Sequence, residues 1–188
     1  MLSHQHHVAE LEARVAQLTA ERDRYRHLAL HDPLTGVLNR NGLAEHWRHV
    51  DPSHQLGLLD LDKFKAINDG HGHDAGDAVL VSVARQLGRL GTVARLGGDE
   101  FAIVGPPVPG VVPVWWVVLP DGQQITVGGT IGWADEVIPG DLAETLHRAD
   151  IAMYAAKRRP VPARSRPGRR RVRDAVSVPV QRPGAGAR

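Results

Sequence analysis

Val8, Leu11, Val15, Leu18, Arg22, Tyr25 and Ala29 recur at alternating steps of three and four residues, the spacing of a coiled-coil seam. Residues 1–30 therefore predict an amphipathic helix that either pairs with a second copy or packs on its own domain. Next, HDPLTGVLNRNG carries Pro33, Gly36 and Gly42 and reads as a turn leading into a helix through Trp47. Gln55–Leu61, QLGLLDL, is an apolar run of strand length that ends in carboxylates, as suits a buried strand. A glycine-rich loop is expected after it, and then a helix on which Leu80, Val83, Ala84 and Leu87 share one face. Residues 92–95 and 101–104 predict two strands joined across Gly97-Gly98, since glycine tolerates the positive φ of tight hairpin turns. Residues 115–119 and 124–130 flank Asp121-Gly122, a second hairpin signal. Asp141 with Glu144 resembles a capping box, and Leu142, Leu146, Ala149, Met153 and Ala156 then line one helix face. The elements add up to an α/β (α+β) sandwich.

Composition narrows the chemistry. The 188 residues are 42% hydrophobic, enough for about one domain. The chain has no cysteine, which excludes a disulfide scaffold, a cysteine nucleophile and any thiolate metal site. No apolar run approaches the ~18–20 residues of a membrane span, and the N-terminus turns polar before any signal-peptide core, so a cytoplasmic chain without a membrane span is expected. Net charge is +2, but unevenly spread. Residues 158–188 hold ten arginines against one aspartate, a charge of +9, which leaves −7 on residues 1–157. That Arg/Pro/Gly-rich tail has no helical or strand period and reads as disordered. It has no aromatic residue to stack on bases, so nucleic acid is not the expected partner.

Two acidic sites stand out. Asp60 and Asp62 close the first strand, and Asp99 and Glu100 sit at the tip of the glycine turn. If the strands are neighbours, these carboxylates converge within reach of a hard cation, which takes oxygen ligands and completes its shell with water. Beside a nucleotide, such an ion neutralises phosphate charge and lowers the pKa of an attacking hydroxyl. Lys63 and Lys65 follow, then Asn68 and Asp77, an amide and a carboxylate suited to a base edge. A carboxylate accepts from the N1 and N2 donors of guanine and finds no matching pair on adenine. His71 and His73 are too closely spaced, without a third histidine, to make a familiar zinc site. Gly70, Gly72 and Ala75 lack the strand immediately before them that a dinucleotide fingerprint needs, and Phe64 and Lys65 stand where a calcium loop requires an oxygen ligand and a glycine.

Five ordered segments, DPLTGVLNR at 32–40, DLDKFKAIND at 60–69, GHDAGD at 72–77, RLGGDEF at 95–101 and RADIAMYAAK at 148–157, together resemble the GGDEF domain of diguanylate cyclases. The resemblance covers residues 31–157. It implies a palm-like domain with a central, mostly antiparallel sheet flanked by helices, one GTP per protomer, and a homodimer that joins two GTP into cyclic di-GMP and two pyrophosphates. By motif position it implies that Asp60, the Leu61 carbonyl and Asp99 bind magnesium, or manganese in its place. Glu100 would assist the metal or the proton transfer, and Lys65 would stabilise phosphate charge. Asn68, His73 and Asp77 would hold GTP, with Asn68 and Asp77 on guanine, and Lys157 would approach the terminal phosphate. The alternative class is an inactive domain that binds GTP or cyclic di-GMP and signals through its N-terminal helix.

Three departures from the family pattern stand out. An Arg-x-x-Asp inhibitory site often precedes the signature, but Gly88 and Gly91 occupy those places here, so product inhibition there is not expected. After Lys157 the family continues to a glycine and an arginine, where this chain has Arg158, Arg159, Pro160 and Val161. The family's helix after the signature is replaced by a shortened stretch in which Pro106, Pro107, Pro109 and Pro113 forbid a regular helix. Trp115 and Trp116 are expected to pack in the core beside that gap.

Overall fold

The computed structural model describes residues 2–106, 113–134, 137, 138 and 140–158, with side chains from His6 onward. A long helix α1 (Leu2–Leu30) leads into α2 (Arg40–Trp47), then β1 (Gln55–Leu61), α3 (Phe64–His71), α4 (His73–Leu87), β2 (Thr92–Gly97), β3 (Glu100–Gly105), β4 (Val114–Val118), β5 (Gln124–Trp133) and α5 (Leu142–Arg158). The strands form one sheet in the order β2-β3-β1-β5-β4. Every pairing between named strands is antiparallel. No helix among the described residues is long and apolar enough to cross a membrane.

β1 lies at the centre because both of its faces are apolar. Leu59 and Leu61 point into one core with α4 and Phe101, while Leu56 and Leu58 point into a second core with α2 and α5. On α4, Val79, Leu80, Val83, Ala84 and Leu87 are buried at helical spacing. At α5, close approach is possible because β5 offers glycine. A Cβ on Gly132 would collide with the Met153 amide and the Ala149 carbonyl. Ala149 is fully buried there and Met153 nearly so. Asp141 caps α5 by accepting from the Glu144 amide at 3.0 Å, but the reciprocal half of the expected capping box is missing, since Glu144 accepts from Arg148.

The structure corrects two expectations. Residues 64–71 form a helix where a glycine-rich loop was expected, because Phe64 and Ile67 pack against the first core and hold a turn that Gly70 and His71 alone would not. The two tryptophans part company: Trp115 is 7% exposed in the core and Trp116 is 67% exposed. Successive strand residues face opposite ways; α4 covers one face of β4, and on the other Val114, Trp116 and Val118 stay open. The stretch 107–112 and the tail 159–188 lie outside the described residues, whereas Arg158 still belongs to α5 and sets its guanidinium 5.6 Å from the Tyr154 ring centre.

The apolar seam of α1 does not pack on its own domain. Val8, Leu11, Val15, Leu18 and Tyr25 are all between 41% and 69% exposed. What anchors α1 is its last turn. Asn39 donates from Nδ2 to the carbonyls of Ala29 (2.9 Å) and His31 (3.2 Å), while its Oδ1 accepts from the Gly42 amide and caps α2.

Candidate functional site

β1 and β3 run side by side with Asp60 opposite Glu100, so the first strand's terminal acid and the signature acids share one end of the sheet. The β2–β3 hairpin delivers them. Gly97 pairs with Glu100 and leaves Gly98-Asp99 as the turn, with Gly98 at φ 51°, a conformation that favours glycine. At that tip the Asp99 carbonyl accepts from the Leu61 amide at 3.4 Å, which brings the end of β1 against the turn.

Charge at this end is mixed. Burial pushes the Asp99 carboxyl above the usual aspartate range and the nearby Asp60 adds to the rise, while its own backbone amide, Lys157 and Arg95 partly offset it. Lys157, from the last turn of α5, places Nζ 2.7 Å from Asp60 Oδ1. Asp60, Asp99 and Lys157 therefore act on one another at this end of the sheet, with the Leu61 backbone against the turn and Glu100 opposite Asp60 in the strand register. Among the described residues no three carboxylates or imidazoles converge as a closed metal cage. The Asp60 and Asp99 carboxylates and the Leu61 carbonyl are oxygen donors, and such a set instead fits a hard divalent cation of the magnesium type, which binds through one or two carboxylates and completes its shell with substrate phosphates and water.

The remaining expected residues lie on the helices that follow β1. Lys65 and Asn68 are on α3, and His73 and Asp77 are in the first turns of α4. Lys65, His73 and Asp77 are exposed and make no side-chain hydrogen bond or ion pair with the described residues. Asn68 lies against Gly76, where any Cβ would strike Asn68 Oδ1 and crowd Phe64. Gly76 is thus what lets the amide settle between the two helices, one residue from Asp77. Lys63 enters α3 at φ 58°, the lone non-glycine residue with positive φ among the described residues.

Sequence reasoning assigned no role to Arg95 or Asp32, yet they hold the turn. Arg95 donates from Nε and a terminal nitrogen to the Gly98 carbonyl at 2.9 and 2.8 Å, and its other terminal nitrogen lies 3.2 Å from both carboxylate oxygens of Asp32. Asp32 also accepts from the Thr35 amide and hydroxyl. Burial pushes the Asp32 carboxyl up, but the Thr35 hydrogen bonds and the Arg95 guanidinium outweigh it and hold the group below its ordinary value. The signal was present in the sequence as charged residues inside otherwise small or apolar motifs, but their partnership spans 63 positions. A separate open depression of about 410 Å³ is lined by Asp32, Asn39, Arg40, Arg95, Gly97 and Gly98; none of the residues expected to take metal or guanine lines it.

Residues 29–110 match the family model described as diguanylate cyclase, GGDEF domain. The GGDEF domain of TpbB (YfiN) from Pseudomonas aeruginosa superposes with a TM-score of 0.58 at 33% identity, covering 69% of this chain and 90% of that one. The chain belongs to the GGDEF family. The coiled coil and GGDEF domain of DgcB from Caulobacter crescentus, solved with c-di-GMP, gives a TM-score of 0.67 at 26% identity over 82% of this chain and 94% of that one. Among curated relatives, an uncharacterised 19.3 kDa protein of Streptomyces ambofaciens is 40% identical over 161 residues, spanning 77% of this chain and 85% of the relative. Diguanylate cyclase TpbB of P. aeruginosa UCBPP-PA14 is 38% identical over 176 residues, and the match spans 79% of this GGDEF chain but 40% of that longer protein.

Proposed function

We propose that the chain is a diguanylate cyclase that condenses two GTP, one from each protomer of a homodimer, into cyclic di-GMP and two pyrophosphates, drawing on cytoplasmic GTP. One observation carries the reading: Asp60 stands opposite Glu100 at the strand end where the burial-raised Asp99 carboxyl also feels it. Lys157 pairs with Asp60, yet the Asp99 carboxyl stays raised beside it, so a further cation would be stabilised between the two acids. Asp60, Asp99 and the Leu61 carbonyl would hold magnesium or manganese, which when bound neutralises phosphate charge and acidifies the attacking hydroxyl.

The protein's own groups then position and balance charge. Asn68 and Asp77 take the guanine edge, His73 lies alongside, and Lys65 and Lys157 meet the phosphates. In each half-reaction the 3′-oxygen of one GTP bonds to the α-phosphorus of the other, the bond from that phosphorus to the bridging oxygen of pyrophosphate breaks, and the hydroxyl proton leaves, with Glu100 assisting the cation or that proton. Facing sites are required because one protomer supplies each nucleotide. Gly88 and Gly91 replace the inhibitory Arg-x-x-Asp, and a Cβ at Gly91 would strike the Val104 carbonyl; product inhibition at that place is not part of the reading.

Incubating the purified chain with GTP and magnesium, followed by chromatography, tests it. Cyclic di-GMP from the wild type and none from Glu100→Ala is the expected result. Tight GTP binding without product would instead make the domain a nucleotide-binding signalling module.

A further inference from the structure

One oxygen of Asp60 is already taken, and the packing of α5 decides by what. Asp60 pairs with Thr130 of β5, and Gly132, two residues further along, faces the same side of the sheet. There α5 comes close enough that Ala149 and Met153 would strike any Cβ on Gly132. Lys157 follows Met153 by four residues on the same helix, so the two share a helix face. The close approach of α5 therefore carries Lys157 Nζ to 2.7 Å from Asp60 Oδ1.

Other cations nearby are committed elsewhere. Arg158 sets its guanidinium over the Tyr154 ring, and Arg95 is bound to Asp32 and the Gly98 carbonyl. Among the described residues Lys157 is thus the cation that touches Asp60. The two side chains are 37% and 22% exposed, partly withdrawn from water, which strengthens their attraction beyond that of a surface pair.

Such a pair obstructs a divalent ion. The two oxygens of one carboxylate are too close together to hold an ammonium and a divalent cation without strong repulsion. Nζ must leave before a divalent ion can use Asp60 fully. A lysine can do so with its helix in place, because its charge rides on a flexible four-carbon stem. The ammonium then needs another anion. A free ion brings none, whereas one carried by a triphosphate brings oxygens of the right charge to the same end of the sheet.

We propose that Lys157 is an exchangeable counter-ion of Asp60, which shields the acid from a free divalent ion and yields it to one that arrives with a triphosphate. The yielding half rests on the cyclase reading; the shielding half does not. Calorimetry of the full chain tests both, first with manganese alone and then with manganese bound to a GTP analogue whose α–β bridging oxygen is replaced by methylene. Lys157→Met should bind manganese alone at least about tenfold more tightly than wild type and the manganese-loaded analogue at least about fivefold more weakly. Lys157→Gln, which also removes the charge, should behave alike. Adding Lys157→Met to Asp60→Asn should bring no further tightening. Unchanged or weaker manganese binding in both Lys157 variants would overturn the shielding, as would equal tightening in the Asp60→Asn background. Tighter binding of manganese and of the loaded analogue together would overturn the exchange. Tighter manganese binding in a chain whose wild type ignores the loaded analogue supports the shielding and removes the cyclase reading instead.

Discussion

Arg95→Met cuts the clamp between the signature turn and the loop that follows α1. The arginine and Asp32 side chains are 16% and 17% exposed, so this pair is closer to a buried ion pair than to a surface one. Removing one partner of a buried pair costs about 3–5 kcal/mol, because the other charge is stranded. Asp32 keeps its two Thr35 hydrogen bonds, which puts the loss at the lower end, about 3 kcal/mol. Asp32→Asn retains acceptors for Thr35 without the charge, so the double variant should lose less than the sum of the single losses, by about 1–2 kcal/mol. Urea unfolding of the four proteins gives these numbers. Asp32's carboxyl is held below its ordinary value, so its contribution is present at neutral pH and fades as pH falls through that lowered value. Freed from Arg95, the Gly98 carbonyl no longer fixes Asp99, and kcat for cyclic di-GMP should fall about tenfold or more. A stability loss below about 0.5 kcal/mol, or losses that simply add, would refute the clamp.

Other expectations follow from single contacts. The Asp99 carboxyl is raised first by burial and also by Asp60, so Asp60→Asn should lower its titration midpoint in a carboxyl NMR experiment. A pKa raised above the unfolded value weakens the folded state once Asp99 ionises; Asp99→Asn should therefore gain stability at neutral pH in urea while losing turnover. Gly132→Ala drives a methyl group into the backbone of α5 and should cost about 3 kcal/mol, with Lys157 displaced from Asp60. Gly76→Ala displaces Asn68 and should weaken GTP binding by calorimetry. Asp77→Ala should raise the GTP requirement and relax selection against ATP in a competition assay; an unchanged base preference would remove the guanine assignment.

Local pattern carried much of the fold. The apolar run of β1, the glycine turn and the helical stripe of α4 are each written within a few consecutive residues, and each formed as expected. α3 was hidden because its apolar side consists of Phe64 and Ile67 amid residues that also suit a loop, and its stability comes from packing on α4. Trp116 was misjudged for a related reason: β4 ends the sheet, and whether a helix covers its second face is a property of the whole assembly. Within the site, Asp60, Asp99 and Glu100 were legible as acids at strand and turn ends, but their register across β1 and β3 was not. The pairs Arg95–Asp32 and Lys157–Asp60 join distant positions, and no local period encodes such partners.

On the proposed reading, the acids at the end of β1 and at the turn serve one nucleotide-joining reaction. A time course of GTP consumption, pyrophosphate release and product formation with magnesium, run on the wild type beside Asp60→Asn, is the test. Two GTP consumed and two pyrophosphates released per cyclic di-GMP, with none formed by Asp60→Asn, is the predicted result; equal product from both proteins, or none from the wild type, would contradict it.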